Sequence, residues 1–163
     1  MSNSENSPVR ESPVPMSECG AALAIEQIPD RWTWLIIREM FYGVGRFADI
    51  QADISIPKSV LSGRLAQIVE NGLAKKEAYR DGSSRTRHAY ALTQKGRELA
   101  PVLLALMQWG DRHMKNGESA LELTDKRSGN PVKIGIVPKG GALPLRWLSY
   151  APTQKKSDGT SGD

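Results

Sequence analysis

Residues 57–73 read PKSVLSGRLAQIVENGL, and the fold turns on how this stretch is read. Leu61, Leu65 and Ile68 recur at three- and four-residue spacing, which places them on one stripe of a helix. Pro57 suits the first helical position, where a missing N–H costs nothing. Lys58, Ser59, Ser62, Gly63 and Ala66 gather on the other side, a face that is small, polar and basic. Gly63 sits near the middle of the helix, where glycine costs roughly 1 kcal/mol relative to alanine. A bare patch on such a face lets the backbone come close to whatever it meets. Arg64 falls on the flank, where a phosphate is a better target than a base edge.

Working back towards the N-terminus, Ser17 is a candidate cap for a helix through ECGAALAIEQI (18–28), with Ala22, Ile25 and Ile28 on one stripe. Pro29 and Asp30 break it, and Asp30 offers the N-cap of a second helix over about residues 31–42. Trp32, Leu35, Ile36 and Met40 form the expected buried face of that helix. The turn signal GVG (43–45) precedes a short helix over 47–52 that buries Phe47 and Ile50.

After Gly72 the period drops to two. LAKKEAY (73–79) and RTRHAYALT (85–93) flank Asp81-Gly82, a hairpin turn signal. Thr86, His88, Tyr90 and Leu92 share the strand face that can pack on a core, which makes His88 an expected buried or half-buried histidine. Arg85 and Arg87 point the other way. Thr93 caps a further helix, broken near Ala100 because Pro101 lies inside it. Beyond Asn116, three short runs, ALELT (120–124), PVKIGIV (131–137) and PLRWLSY (144–150), alternate with turn signals and read as a three-stranded appendage. Residues 1–17, with five serines and three prolines, and residues 153–163 read as disordered tails.

Of the 163 residues, 39% are hydrophobic and 25% charged, enough for one domain with a modest core. The net charge is only +4, but residues 57–97 hold nine bases against three acids, which leaves −2 for the rest. That concentration is the footprint of a polyanion partner. No run of 18 apolar residues exists to span a membrane, and no secretory leader pattern opens the chain, so the expected compartment is the cytoplasm. With two histidines, one cysteine and no phosphate-binding, nucleophile or metalloprotease motif, no catalytic residue, metal or cofactor is expected, and the chain is not read as an enzyme.

Helix, helix, turn, helix and basic hairpin, in that order, make a winged helix-turn-helix domain, with the helix after the turn in the major groove and the hairpin wing on the flanking backbone. The expected DNA contacts are Lys58, Ser59, Ser62, Gly63 and Arg64 on the recognition helix, and Lys75, Lys76, Arg80, Arg85 and Arg87 on the wing. A winged-helix module for protein–protein contact is the alternative, but it calls for an apolar face at 58–66.

The order of motifs also resembles the HxlR family of bacterial winged-helix transcriptional regulators, near the MarR-like regulators. Cys19, RWTWLIIREMFYGVGRFADI (31–50), IPKSVLSGRLAQIVENGLAKK (56–76), YALTQKGREL (90–99) with Pro101, and Trp109-Gly110 carry the likeness. It covers roughly residues 18–115. The resemblance implies a homodimer built from the first and last helices, with Leu23, Leu103, Leu106 and Trp109 as interface candidates. It further implies a repressor on inverted-repeat double-stranded DNA, responsive to a redox, electrophile or small-molecule effector. Cys19 is the candidate redox sensor, with a structural thiol as the plainer reading. Trp32, Trp34, Phe41, Tyr42, Phe47 and Trp109 are read as packing rather than as a ligand cavity. The expected fold is α+β, mainly α: tail 1–17, winged helix with dimerisation helices 18–116, small β extension 117–152, tail 153–163.

Overall fold

The computed structural model describes residues 14–79, 87–135 and 148–152. Both expected tails lie outside these residues except for 14–17, as do Arg80, Arg85 and the turn expected at 81–82. A single 3-10 turn, Met16–Glu18, leads into α1 (Gly20–Gln27), α2 (Arg31–Phe41), α3 (Phe47–Ile54) and α4 (Lys58–Glu70). The hairpin strands β1 (Ala74–Tyr79) and β2 (Arg87–Leu92) follow, then α5 (Gln94–Arg97), α6 (Ala100–Met114), β3 (Leu121–Asp125) and β4 (Leu148–Pro152). This is a mainly helical winged helix-turn-helix fold with two small antiparallel sheets, β1–β2 and β3–β4, among the described residues.

The core lies between α2, α3, α4 and the base of the hairpin. Ile36, Ile37, Ile50, Leu61, Leu65 and Ile68 are its fully buried side chains, each contributing roughly 1.5–3 kcal/mol of burial. The stripe expected on α4 is therefore the one that packs. On α2 the buried stripe is Thr33, Ile36, Ile37 and Met40, with Glu39 beside it, while Trp32 and Leu35 are only half-buried. The expected face is rotated by about one residue, because Thr33 can go inside. Its hydroxyl donates to Asp30 Oδ2 at 2.9 Å and its amide to Asp30 Oδ1 at 3.3 Å, so its burial leaves nothing unpaired.

At the start of the chain, Cys19 rather than Ser17 takes the N-cap position of α1, and Ser17 belongs to the 3-10 turn. The helix buries no residue. Ile25, expected on a packed stripe, is 63% exposed, because no described residue covers that face.

Two glycines join the later elements. A side chain at Gly96 would sit 2.0 Å from the Leu73 carbonyl oxygen, and one at Gly45 would sit 2.3 Å from that of Tyr90. Only a missing Cβ permits either approach. Gly96 lets the Thr93 cap dock: the Thr93 hydroxyl donates to Gly72 O at 2.6 Å and accepts from Gly96 N at 3.2 Å. Gly45 lets residues 45–46 join the hairpin, with Tyr90 N donating to Gly45 O at 2.7 Å and Arg46 bridged to Ala89.

The break near Ala100 is present, with α5 ending at Arg97 and Pro101 in the first turn of α6. Of the runs expected in the appendage, residues 136–137 and 144–147 lie outside the described residues. β3 pairs antiparallel with β4, and 131–135 form no strand beyond a single bridge from Pro131 to Thr124. Asp125 causes the reversal: its carboxylate accepts from Arg127 N and the Ser128 hydroxyl, winding the chain into a tight turn, and Asp125 N donates to Asn130 O at 2.9 Å and Val132 N to Leu123 O at 2.8 Å on either side of the bridge.

Candidate nucleic-acid interface

All five residues of the second α4 face, Lys58, Ser59, Ser62, Gly63 and Ala66, are exposed, as the spacing predicts. A Cβ on Gly63 would meet nothing within 4 Å. The glycine is therefore not required by the fold, and the face is open to solvent along its length. Lys58 makes no ion pair among the described residues.

Arg64 behaves differently from expectation. Its Nε lies 3.0 Å from Asp30 Oδ2 and its Nη1 donates to Gln67 Oε1 at 3.1 Å. The guanidinium is half-buried and ties the recognition helix to the N-cap of α2. The Nε–Asp30 contact is an ion pair whose angle is poor for a hydrogen bond, so its attraction is mainly Coulombic. A second tie holds the far end of α4, where Asn71 Nδ2 donates to Gln27 O at 3.0 Å and Lys95 Nζ donates to Asn71 O at 2.8 Å. The recognition helix is thus mounted on the α1–α2 junction at two points, and the sequence pattern did not reveal either.

Asp30 carries the first of these ties and also caps α2 through Trp32 N and Thr33 N. Desolvation raises its pKa, but the Thr33 and Trp32 hydrogen bonds and the Arg64 charge outweigh it and hold the carboxyl below the ordinary 3.8. Its stabilising contribution is therefore complete above that value and is lost as pH falls through the lowered pKa. Asp30→Ala should lose about 1–2 kcal/mol at neutral pH, by urea denaturation, through the cap alone. Asp30→Asn keeps the oxygen that caps Trp32 N and Thr33 N, and loses the charge and the Oδ2 acceptor that faces Thr33 Oγ1 and Arg64. Its deficit relative to wild type should shrink as pH falls below 3.8 and through the lowered pKa of Asp30.

On the wing, strand register sorts the basic residues. Lys75 pairs with Ala91, Lys76 with Tyr90, and Tyr79 with Arg87. Because side chains alternate, Lys75 and Arg87 lie on one face of the hairpin and Lys76 on the other. Lys75 Nζ is 2.6 Å from Glu77 Oε1, whereas Lys76 has no ion pair among the described residues. The hairpin projects away from the core, so burial along β2 grades from exposed Arg87 and His88 to buried Leu92. His88 is exposed, and the buried or half-buried position expected for it is corrected by that geometry.

Arg46 is a basic residue that the sequence reading missed. It is exposed, bridges to Ala89 of the wing, and lies over the Tyr79 ring at 4.8 Å, a stacked cation with no carboxylate partner among the described residues. The signal was a lone arginine after the GVG turn, which acquires meaning only from the tertiary bridge. On α2, Glu39 is buried and paired with Arg38. Burial pushes its carboxyl up, Arg38 pulls it down, and the neighbouring Asp53 charge pushes it up again, for a net rise.

Of the interface candidates, Leu23, Leu106 and Trp109 are 47%, 49% and 57% exposed. Leu103 is buried within the chain itself, so it is not available as a surface contact; Ile25, Val102 and Met114 are exposed in its place. Cys19 is half-buried.

A family model described as HxlR-like helix-turn-helix matches residues 27–118. The uncharacterized HTH-type transcriptional regulator Rv3095 of Mycobacterium tuberculosis is 43% identical over 95 residues, 58% of this chain. The match spans only 59% of that relative's length. A regulator of Methanothermobacter thermautotrophicus is 30% identical over 105 residues, covering 64% of this chain and 79% of its own. Among solved structures, the candidate transcription factor PA1607 superposes with a TM-score of 0.65 at 35% identity, over 76% of this chain and 86% of that one. The redox regulator HypR in its oxidized form gives 0.53 at 25% identity, over 58% and 97%.

Proposed function

The chain belongs to the HxlR-like helix-turn-helix family of transcriptional regulators, and from that premise we propose that it is a homodimeric, sequence-specific repressor on an inverted-repeat operator. It has the helix-turn-helix DNA-binding fold of a transcriptional regulator, and its relatives are regulators rather than enzymes. The observation that carries the proposal is the open α4 face. A small, hydroxyl-bearing, basic helix surface with no packing role suits base edges in a major groove and does not suit an apolar protein partner. Lys58, Ser59, Ser62 and Gly63 read the bases; Lys76, Arg46, Arg87 and Lys75 meet phosphates, and Arg64 chiefly holds the helix in place.

The exposed apolar side chains on α1 (Leu23, Ile25) and α6 (Val102, Leu106, Trp109, Met114) support dimerisation through these helices, since large apolar groups left in water mark contact surfaces. A second protomer also supplies the second half-site. Cys19, half-buried at the start of α1, is read as a structural thiol. The compartment that follows from this role is the cytoplasm.

Selection of binding sites from a random duplex pool tests the reading. The expected enriched motif is an inverted repeat whose half-site centres are about 10 base pairs, or a multiple, apart, bound by two chains per duplex in light scattering. A pool that shows no enrichment overturns the proposal in favour of a protein-contact module.

A further inference from the structure

A cavity of about 480 Å³ opens between the end of α2, β2, α5, α6 and β3, within the roughly 300–1,000 Å³ common for small-molecule sites. Its walls are mostly apolar, with Met40, Leu103, Met107 and Leu123 among them, and the two methionines allow the walls to adapt. Among the described lining residues Arg97 is the one charged group, and no described carboxylate pairs with it. Its guanidinium donates to Leu92 O at 2.7 Å and to Gln94 Oε1 at 3.3 Å, both uncharged. Tyr90 also lines the space, and its hydroxyl has no hydrogen-bond partner among the described residues. Burial pushes that phenol up, so it stays a neutral donor.

An unneutralised cation and an unused donor at the edge of an apolar chamber select a particular chemistry. We propose that this cavity is an effector site for an amphipathic organic acid, its ring-sized apolar body between α6 and β3 and its single carboxylate or sulfonate on Arg97. A piece of protein chain is a poorer occupant. A helix with side chains is about 10–12 Å across, so a single turn would fill the whole volume.

The site also has a route to DNA, and this part rests on the proposed function. One wall is α6, which carries the exposed Leu106 and Trp109, and another is β2, which runs out into the wing. A molecule seated between them sets the spacing of wing and α6, and with it the separation of the two recognition helices in a dimer.

Two fluorescent probes that differ by one charge test the site on the whole protein without DNA. Anilinonaphthalene sulfonate should bind saturably, one per chain. Arg97→Gln should weaken it about tenfold, the scale of a lost charge-assisted hydrogen bond, while neutral phenylnaphthylamine is unaffected. Ala100→Phe, which fills the chamber, should remove both; if that variant does not fold, the Arg97→Gln contrast decides alone. Equal weakening of both probes by Arg97→Gln overturns the site. In a second arm, the sulfonate should shift operator affinity at least severalfold, and the Arg97→Gln variant should respond less. Sulfonate binding with unchanged operator affinity overturns the effector role. Absence of operator binding in probe-free protein overturns the proposed function and leaves the site standing.

Discussion

Between about 50 and 200 mM monovalent salt, operator affinity is expected to fall roughly 10³- to 10⁵-fold, the loss associated with some six to ten neutralised phosphates per dimer. Each phosphate met by a lysine or arginine releases counterions, and log K should decline with log salt at a slope of about −0.9 per contact. The cations are not equivalent. Lys58, Lys76 and Arg46 have no carboxylate partner among the described residues, so their charge is available at once. Lys75 must give up Glu77 at 2.6 Å, and Arg64 must give up Asp30 at 3.0 Å. Lys76→Ala and Arg46→Ala should therefore each flatten the slope by about two per dimer, one contact per protomer. Removing Lys75 should change it less. Fluorescence anisotropy titrations at four or five salt concentrations measure this directly. A slope near zero would mean that the wing does not meet a nucleic-acid backbone.

The inequality of those cations shows where sequence reading stopped. Local signals were legible because local chemistry sets them. Asp30 and Thr93 cap helices within three residues of themselves, the α4 stripe follows from its spacing, and the Pro101 break follows from a missing N–H. The two faces of α4 could be separated for the same reason. What was not legible depends on residues far apart in the chain. Arg64 looks like a phosphate ligand until the fold brings Asp30 beside it. Arg46 looks incidental until a single bridge places it against Ala89 of the wing. His88 has the right alternation to face inward, yet the hairpin outruns the core that would cover it. β3 pairs along its length with residues 148–152 and with the nearer Pro131 through a single bridge, a division that no local pattern shows. Phe41 and Tyr42 read as packing, and a chamber whose walls come from five elements has no signature in any one of them.

The largest difference between two single variants should occur at Gly63. Its backbone is helical and open, with nothing within 4 Å of the point where a Cβ would stand, so any side chain fits in the free protein. Gly63→Ala should gain up to about 1 kcal/mol of stability from helix propensity and keep operator binding, since one methyl group barely alters the approach. Gly63→Leu should also fold, with a stability at or above wild type, because leucine is a strong helix former. In a groove, however, four heavy atoms standing between Ser59, Ser62 and Ala66 would hold the helix off the bases. Every base contact of the half-site is then lost together rather than one at a time. Specific binding exceeds non-specific binding by roughly 10³ to 10⁷ in proteins of this kind, so affinity for the operator should collapse by at least about 10³-fold towards the non-specific level. The salt slope should survive, because the wing and its phosphates are untouched. Stability by urea denaturation and affinity by anisotropy, measured on the same preparations, separate the two effects. A leucine variant that folds and binds its operator as tightly as wild type would remove this face of α4 from the groove, and Lys58, Ser59 and Ser62 with it.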